Sequence, residues 1–414
     1  MIQTLLYGLS SCLLLTLLAG PAPATAAKPD AEEFIAPLQT AAGLAPDAAG
    51  GVARRARAVK DALTGEPALQ APTARDAIAA AMGQRAAGCR LIGYGGDFGW
   101  VATGTSDYAA TANPVASRRL RREARFKAFL DARTRLRGCL RALSPEARRR
   151  VAEKLAQNDA IRLALVNLAF NDQDQGEQAL RILERGYVAY AVEDDAADLV
   201  VRVYLVATPR TAARLTRPTP NAAETTALRQ GLTQTQAEIA GGLTPPVGNR
   251  LIVVNATGEL MLVGYAVNGV GAHPDPAAQD KLRADAGKIA LSRASEALMG
   301  LAAGDDAVWQ GGLDEASRDD LGAMASGYQV DEPSVHRFRQ IRDLMLGGLG
   351  KDSGLQTLRE GRLPSSATVK RFGDENAAAV MVSYAPPVKK RDSAAPRAPA
   401  ATVKTPSAPA RTTP

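Results

Sequence analysis

Histidine is nearly absent from the 414-residue chain: His273 and His336 are the only two. That excludes a multi-histidine metal centre. Aromatic residues make up only 4%, so any core must be packed with small aliphatic side chains, alanine above all. No G-x-S-x-G elbow, S-x-x-K pair or H-E-x-x-H helix is present, so the sequence offers no ready catalytic signature. Beyond the first 26 residues no apolar run is long enough to span a bilayer. What is present is ordinary globular composition, 46% hydrophobic and 22% charged, which excludes a wholly disordered chain. At roughly 150 residues per domain the length fits two or three domains.

Residues 1–26 carry no charged side chain. Leu5 to Gly20 is mostly apolar and leads into small residues ending Ala24-Thr25-Ala26. This reads as a cleavable secretory signal, although Lys and Arg are missing from Met1 to Thr4. A single membrane anchor competes with that reading, but the run is short for a span. Leu9-Ser10-Ser11-Cys12 matches a lipidation box, yet Leu13 to Leu18 follow where polar chain is expected. The expectation is a periplasmic or secreted protein, with outer-membrane association and peripheral membrane contact left open.

Removing the signal leaves Cys89 and Cys139. In an exported chain the two are a candidate disulfide, closing a loop worth about 3–4 kcal/mol in the chain-entropy model. Two separate buried thiols are the alternative.

Charge is unevenly placed. The tail Pro386 to Pro414 holds +5 of the chain's net +7. Within the nearly neutral body, Ser117 to Arg150 carries thirteen Lys or Arg against three acids. Arg118, Arg119, Arg121 and Arg122, with Lys389, Lys390 and Arg391 of the tail, are the candidate contacts to an anionic partner. A solvated arginine face is the plainer account of the helical ones. Export and the lack of interleaved aromatics argue against nucleic acid.

Along the chain, residues 27–88 read as an Ala-rich helical segment, with helices over 31–42, 51–63 and 73–87. Residues 89–208 form a first α+β module. Extended chain over 90–104 leads through Asn113-Pro114 into a helix over 116–143, whose Leu120, Ala124, Ala128, Ala132, Leu136 and Leu140 recur every four residues. Ser144-Pro145-Glu146 caps a second helix reaching about Phe170, and a third spans 177–185. Strands over 187–192 and 198–207 follow, with Glu193-Asp194-Asp195 as their turn. Residues 209–250 read as a linker with a helix over 222–240 capped by Asn221. Residues 251–385 form a second module: a hairpin around Ala256-Thr257-Gly258, a helix over 277–301, shorter helices over 314–324, 334–346 and 354–359, and strands over 368–372 and 378–384. The Pro-rich tail, 386–414, is expected to be disordered and to act as a solvated end or a basic tether.

The two modules share one plan. A shift of 162 residues aligns the long helices without a gap, setting Leu120 on Leu282, Ala124 on Ala286, Ala128 on Ala290, Ala132 on Ala294 and Leu136 on Leu298. The matched positions are the apolar stripe, as a retained packing face requires. The fold expected is therefore α+β: two tandem βαββ-like modules from an internal duplication, an N-terminal helical segment and a disordered C-terminal tail.

Gly99-Trp100-Val101-Ala102-Thr103-Gly104 and Gly258-Glu259-Leu260-Met261-Leu262-Val263-Gly264-Tyr265, each leading into a helix, resemble the strand–helix–strand–strand modules of small bacterial outer-membrane lipoproteins and flagellar outer-membrane assembly proteins. The resemblance covers about 93–208 and 251–385. It implies an assembly, scaffold or adhesion role without catalysis.

The remaining motifs carry little chemistry. Gly93-Tyr94-Gly95-Gly96-Asp97-Phe98-Gly99 lacks the helix start that a phosphate loop needs, so a bulged strand or tight turn explains it better. Asn171 to Glu177 hints at a calcium loop but lacks the bidentate Glu. His273 and His336 read as surface or capping residues, and Trp100 and Trp309 as core or interface. No cofactor and no metal are expected. The function expected is a non-enzymatic, exported cell-envelope protein that binds, scaffolds or assembles, its partner an envelope protein or an anionic envelope polymer. An envelope-polymer hydrolase and a secreted adhesin are the alternatives.

Overall fold

The computed structural model describes residues 39–40, 56–158, 161, 175–254, 256–304, 342–343 and 346–387. The signal, the lipidation box, the first four residues of the calcium-loop candidate, Trp309, His336, the helix over 314–324 and the tail from 388 lie outside the described residues.

The protein is α+β, with two mixed sheets. The first contains β1 (Gln39–Thr40), β2 (Arg57–Lys60), β3 (Pro67–Ala71), β4 (Gly88–Tyr94), β5 (Asp97–Asp107), β6 (Tyr187–Asp195) and β7 (Val200–Ala207), in the order β1-β6-β7-β5-β4-β3-β2. The second contains β8 (Leu215–Thr219), β9 (Ala222–Thr225), β10 (Val247–Val254), β11 (Leu260–Gly269), β12 (Thr368–Gly373) and β13 (Ala377–Tyr384), in the order β12-β13-β11-β10-β9-β8. The helices that matter for packing are α1 (Ala74–Gly83), α2 (Pro114–Ala142), α3 (Pro145–Ala156), α4 (Gln175–Arg185), α5 (Pro209–Arg214), α6 (Leu228–Ala240), α7 (Pro276–Ala303) and α8 (Ser353–Arg359).

The repeated unit is larger than βαββ. β3 and β4 run parallel and are joined by α1; β9 and β10 run parallel and are joined by α6. A parallel pair needs such a crossover. Each repeat is therefore ββα-ββα-ββ, running β2 to β7 and β8 to β13. Three expectations are corrected by this. Residues 57–60 and 67–71 are strands of the first sheet rather than part of a helical segment, although α1 does form behind Thr73, whose side chain accepts from the Asp76 N–H at 3.1 Å. Residues 209–250 are not a linker but carry α5, β8, β9 and α6. The helix there starts at Leu228, its N-cap Ala227 rather than Asn221. Alanine and arginine have high helix propensity, but pairing with a neighbouring strand overrides propensity in short segments. Glu193-Asp194-Asp195 also belongs to the end of β6, and the turn follows at 196–199, where Leu199 takes φ +54°.

Each long helix starts one or two residues before the expected position, on a side-chain cap. Asn113 accepts from the Val115 and Ala116 N–H groups at 2.9 and 3.2 Å, and Asp275 accepts from Ala278 at 2.9 Å. Proline occupies the first helical position in both, where its missing N–H costs nothing. The alanine stripe is the packing face: Ala124, Ala128, Ala132 and Leu136 of α2 are buried, and so are Ala286, Ala290, Ala294 and Leu298 of α7. Small side chains let each helix lie close to its sheet. At the closest points the strand residues are Gly104 and Gly264, where a Cβ would collide with the backbone at Ala128 and Ala132 or at Ala294 and Leu298.

Three apolar clusters result. α2, α3 and α4 cover one face of the first sheet, with Trp100, Phe129, Leu136 and Leu205 at the centre. α7 and α8 cover the matching face of the second sheet, with Leu262, Leu298, Leu355 and Val382. The opposite faces of both sheets meet in one shared cluster with Ile78 of α1 and Ile239 of α6. Cys89 on β4 and Cys139 on α2 form a disulfide, their Cα atoms 6.2 Å apart, which ties helix to sheet.

Candidate functional site: a cationic cleft between the repeats

An open cleft of about 480 Å³ lies where the two repeats meet. Arg118 comes from the second turn of α2 in the first repeat. Everything else comes from the second repeat: Ala272, His273 and Pro274 from the loop before α7, Gln279 and Arg283 from α7 itself, and Glu375 from the β12–β13 turn.

The walls are held by identifiable bonds. Arg118 Nη1 donates to the Val270 carbonyl at 3.5 Å, bridging the repeats. Gln279 staples the loop: its Oε1 accepts from the His273 N–H at 2.8 Å and its Nε2 donates to the Gly271 carbonyl at 3.0 Å. His273 Nδ1 accepts from the Asp275 N–H at 3.1 Å. With Nδ1 taken up as acceptor, Nε2 is the ring nitrogen left to meet a ligand. Arg283 pairs with Asp280 at 3.0 Å, but both are exposed, so the pair restrains it weakly. Two guanidiniums and an imidazole suit an anionic group; Glu375 sets a limit on how much negative charge the cleft holds.

The four sequence-predicted arginines do not act together. Arg118 lines the cleft and Arg119 is exposed on α2. Arg121 lies over the Tyr108 ring at 5.7 Å, with its Nε enclosed. Arg122 turns inward, its Nη2 enclosed and without a hydrogen bond. Burial, then the nearby Arg125 charge, pull its guanidinium down to about 10, with Tyr265 opposing. Arg121 and Arg122 are both half-buried where a face of α2 meets the 241–246 loop; a Cβ on Gly242 would touch both Arg122 and Arg125. Lys389, Lys390 and Arg391 lie outside the described residues. Sequence reasoning missed Arg283 and Gln279 as site residues. Arg283 was visible only as the counterpart of Arg121 in the repeat.

A second charged cluster is closed to solvent. Glu238 of α6 accepts from Arg217 of β8 and, at 2.7 Å, from Arg250 of β10. Burial would raise the Glu238 carboxyl, but the two guanidiniums outweigh it and hold it at about 2. Arg217 also donates to the Tyr187 carbonyl and lies over the Tyr187 ring at 4.4 Å, so this cluster joins the second repeat to the first. Trp100 is core, edge-on to Phe98 with ring centres 5.5 Å apart. Among the described residues no helix is long and apolar enough to cross a membrane, and no His, Cys, Asp and Glu group has metal-site geometry. Comparison of the chain with protein-family models, with curated proteins and with solved structures finds no match.

Proposed function

We propose that the protein is an exported, non-enzymatic component of the cell envelope that binds an anionic partner, an envelope polymer or an acidic face of an envelope protein, and so acts as a scaffold or assembly factor. The observation that carries this reading is the cationic cleft built from both repeats, with Arg118, His273 and Arg283 on its walls. The Cys89–Cys139 bond supports an oxidising compartment outside the cytoplasm. The charge-free apolar stretch of residues 1–26 supports export.

The test is crosslinking in intact cells, with a tagged full chain purified from each envelope fraction and its crosslinks mapped by mass spectrometry. The expected result is crosslinks from the cleft to one recurrent envelope component, lost in the Arg118→Glu, Arg283→Glu double variant. Recovery of the protein without any partner overturns the scaffold reading. Turnover of envelope polymer by the purified protein overturns the non-enzymatic one.

A further inference from the structure

The two repeats differ at one sheet edge. In the first repeat, β6 is flanked by β1: Gln39 pairs in parallel with Ala191, and Thr40 with Val192. Strand pairing identifies the equivalents. Ala191 and Val192 stand opposite Tyr204 and Val203 of β7, whose counterparts in β13 are Met381 and Val380. Those two residues stand opposite Lys370 and Arg371. In the second repeat, therefore, the place of β1 lies beside Lys370 and Arg371, and among the described residues no strand pairs there. β12 is exposed at five of its six positions. Val369 is 37% exposed.

We infer that the outer edge of β12 takes up an extended, acidic segment of a partner protein as an added parallel strand, in the position β1 holds on β6. An open edge presents unpaired backbone N–H and C=O groups that a guest strand satisfies. The side chains choose the guest. Lys370 lies on the same sheet face as Met381, and Arg371 on the same face as Val380, so the two cations flank the vacant lane on opposite faces. Two adjacent acids in a guest would stand beside both. A second copy pairing through β12 would bring like charges together, which disfavours it. The chain's own tail, net +5 with seven prolines, is repelled and cannot supply a regular run of N–H donors. The β2 edge has no such precedent: its counterpart β8 is buried and, among the described residues, carries no added strand. The inference stands apart from the cleft reading, since it uses none of the cleft residues.

The test is backbone amide hydrogen exchange on the full chain, with a synthetic ten-residue peptide of Val and Thr carrying two central glutamates as probe. The expected result is at least tenfold slower exchange in β12, with β5, β7 and β11 unchanged. The Lys370→Glu, Arg371→Glu double variant loses that protection and gains it from the same peptide with lysines in place of the glutamates. The Arg118→Glu, Arg283→Glu variant keeps it. No protection at millimolar acidic peptide, equal protection by acidic and basic peptides, or protection at β2 instead overturns the inference. So does a dimer at micromolar concentration, detected by sedimentation, that the double variant abolishes.

Discussion

The first repeat fastens its long helix to the sheet with a covalent bond, and the second does so without one. Cys89 stands opposite Ala102 in the β4–β5 pair; the equivalent residue, opposite Gly264 in the β10–β11 pair, is Asn249. Asn249 is buried and its amide donates to the Ala297 carbonyl of α7 at 3.5 Å. One residue further along, Arg90 and Arg250 also correspond. Arg90 is partly exposed and bonds to Gln84 at the end of α1. Arg250 is buried and bonds to Glu238 near the end of α6. The same strand–helix geometry thus holds an arginine against a helix end in both repeats. Where solvent reaches the pair an amide suffices; where it is enclosed the partner is a full carboxylate, shared with Arg217 of a neighbouring strand. The difference teaches that the topology is retained while each repeat meets its own polar and covalent needs locally.

Breaking the buried member of this pair is expected to have the largest effect. Glu238→Gln removes the carboxylate that two enclosed guanidiniums share and should cost about 3–5 kcal/mol of unfolding free energy, read by urea melts. The same variant sharpens the pH behaviour. Glu238 is held at about 2, below its ordinary 4.5, so its contribution is complete above that ordinary value and is lost as pH falls toward 2. Wild type should lose stability across that range, and Glu238→Gln should lose less; equal acid slopes would contradict the assignment. Next comes the disulfide. Cys89→Ser with Cys139→Ser should cost about 3–4 kcal/mol, the entropy of closing its 50-residue separation, while Asn249→Ala in the second repeat should cost nearer 1 kcal/mol. Paired melting curves decide whether the two fastenings differ in this way. Gly104→Ala and Gly264→Ala each force a strand away from its helix and should each cost about 1–3 kcal/mol. The two contacts lie one helical turn apart in the aligned repeats, so a large difference between them would show that the helices sit unequally close to their sheets at those points. The smallest effect belongs to Gln84→Ala. Its pair with Arg90 is exposed, and the change should stay within about 0.5 kcal/mol in the same melts.

Much of this was legible in the residues. A four-residue spacing of alanine and leucine showed the two long helices and their buried stripe. Asn113-Pro114, Ser144-Pro145 and Thr73 marked helix starts through chemistry that acts within three residues; Ser144 accepts from the Ala147 N–H at 3.2 Å. The hairpin around Gly258 needed only a turn glycine, here at φ +74°, between apolar runs. β2, β3 and β9 were not legible, because short alanine-rich segments become strands only when a neighbour offers its backbone. The cleft was half legible: the arginines of α2 stood out as a run, but only their rotation about the helix axis decided which reach solvent.

The long helices, the Thr73 and Ser144 caps and the duplication followed from the sequence alone, because they depend on contacts a few residues apart or on a repeat that can be counted. Tertiary structure alone decided that the repeat begins at β2, that Arg118 meets His273 and Arg283, that Arg122 is half-buried and that Glu238 is enclosed. Those outcomes turn on which surfaces come together across separations from about a dozen residues, as for Glu238 and Arg250, to more than a hundred and fifty, as for Arg118 and Val270, and burial and charge pairing exist only once they have.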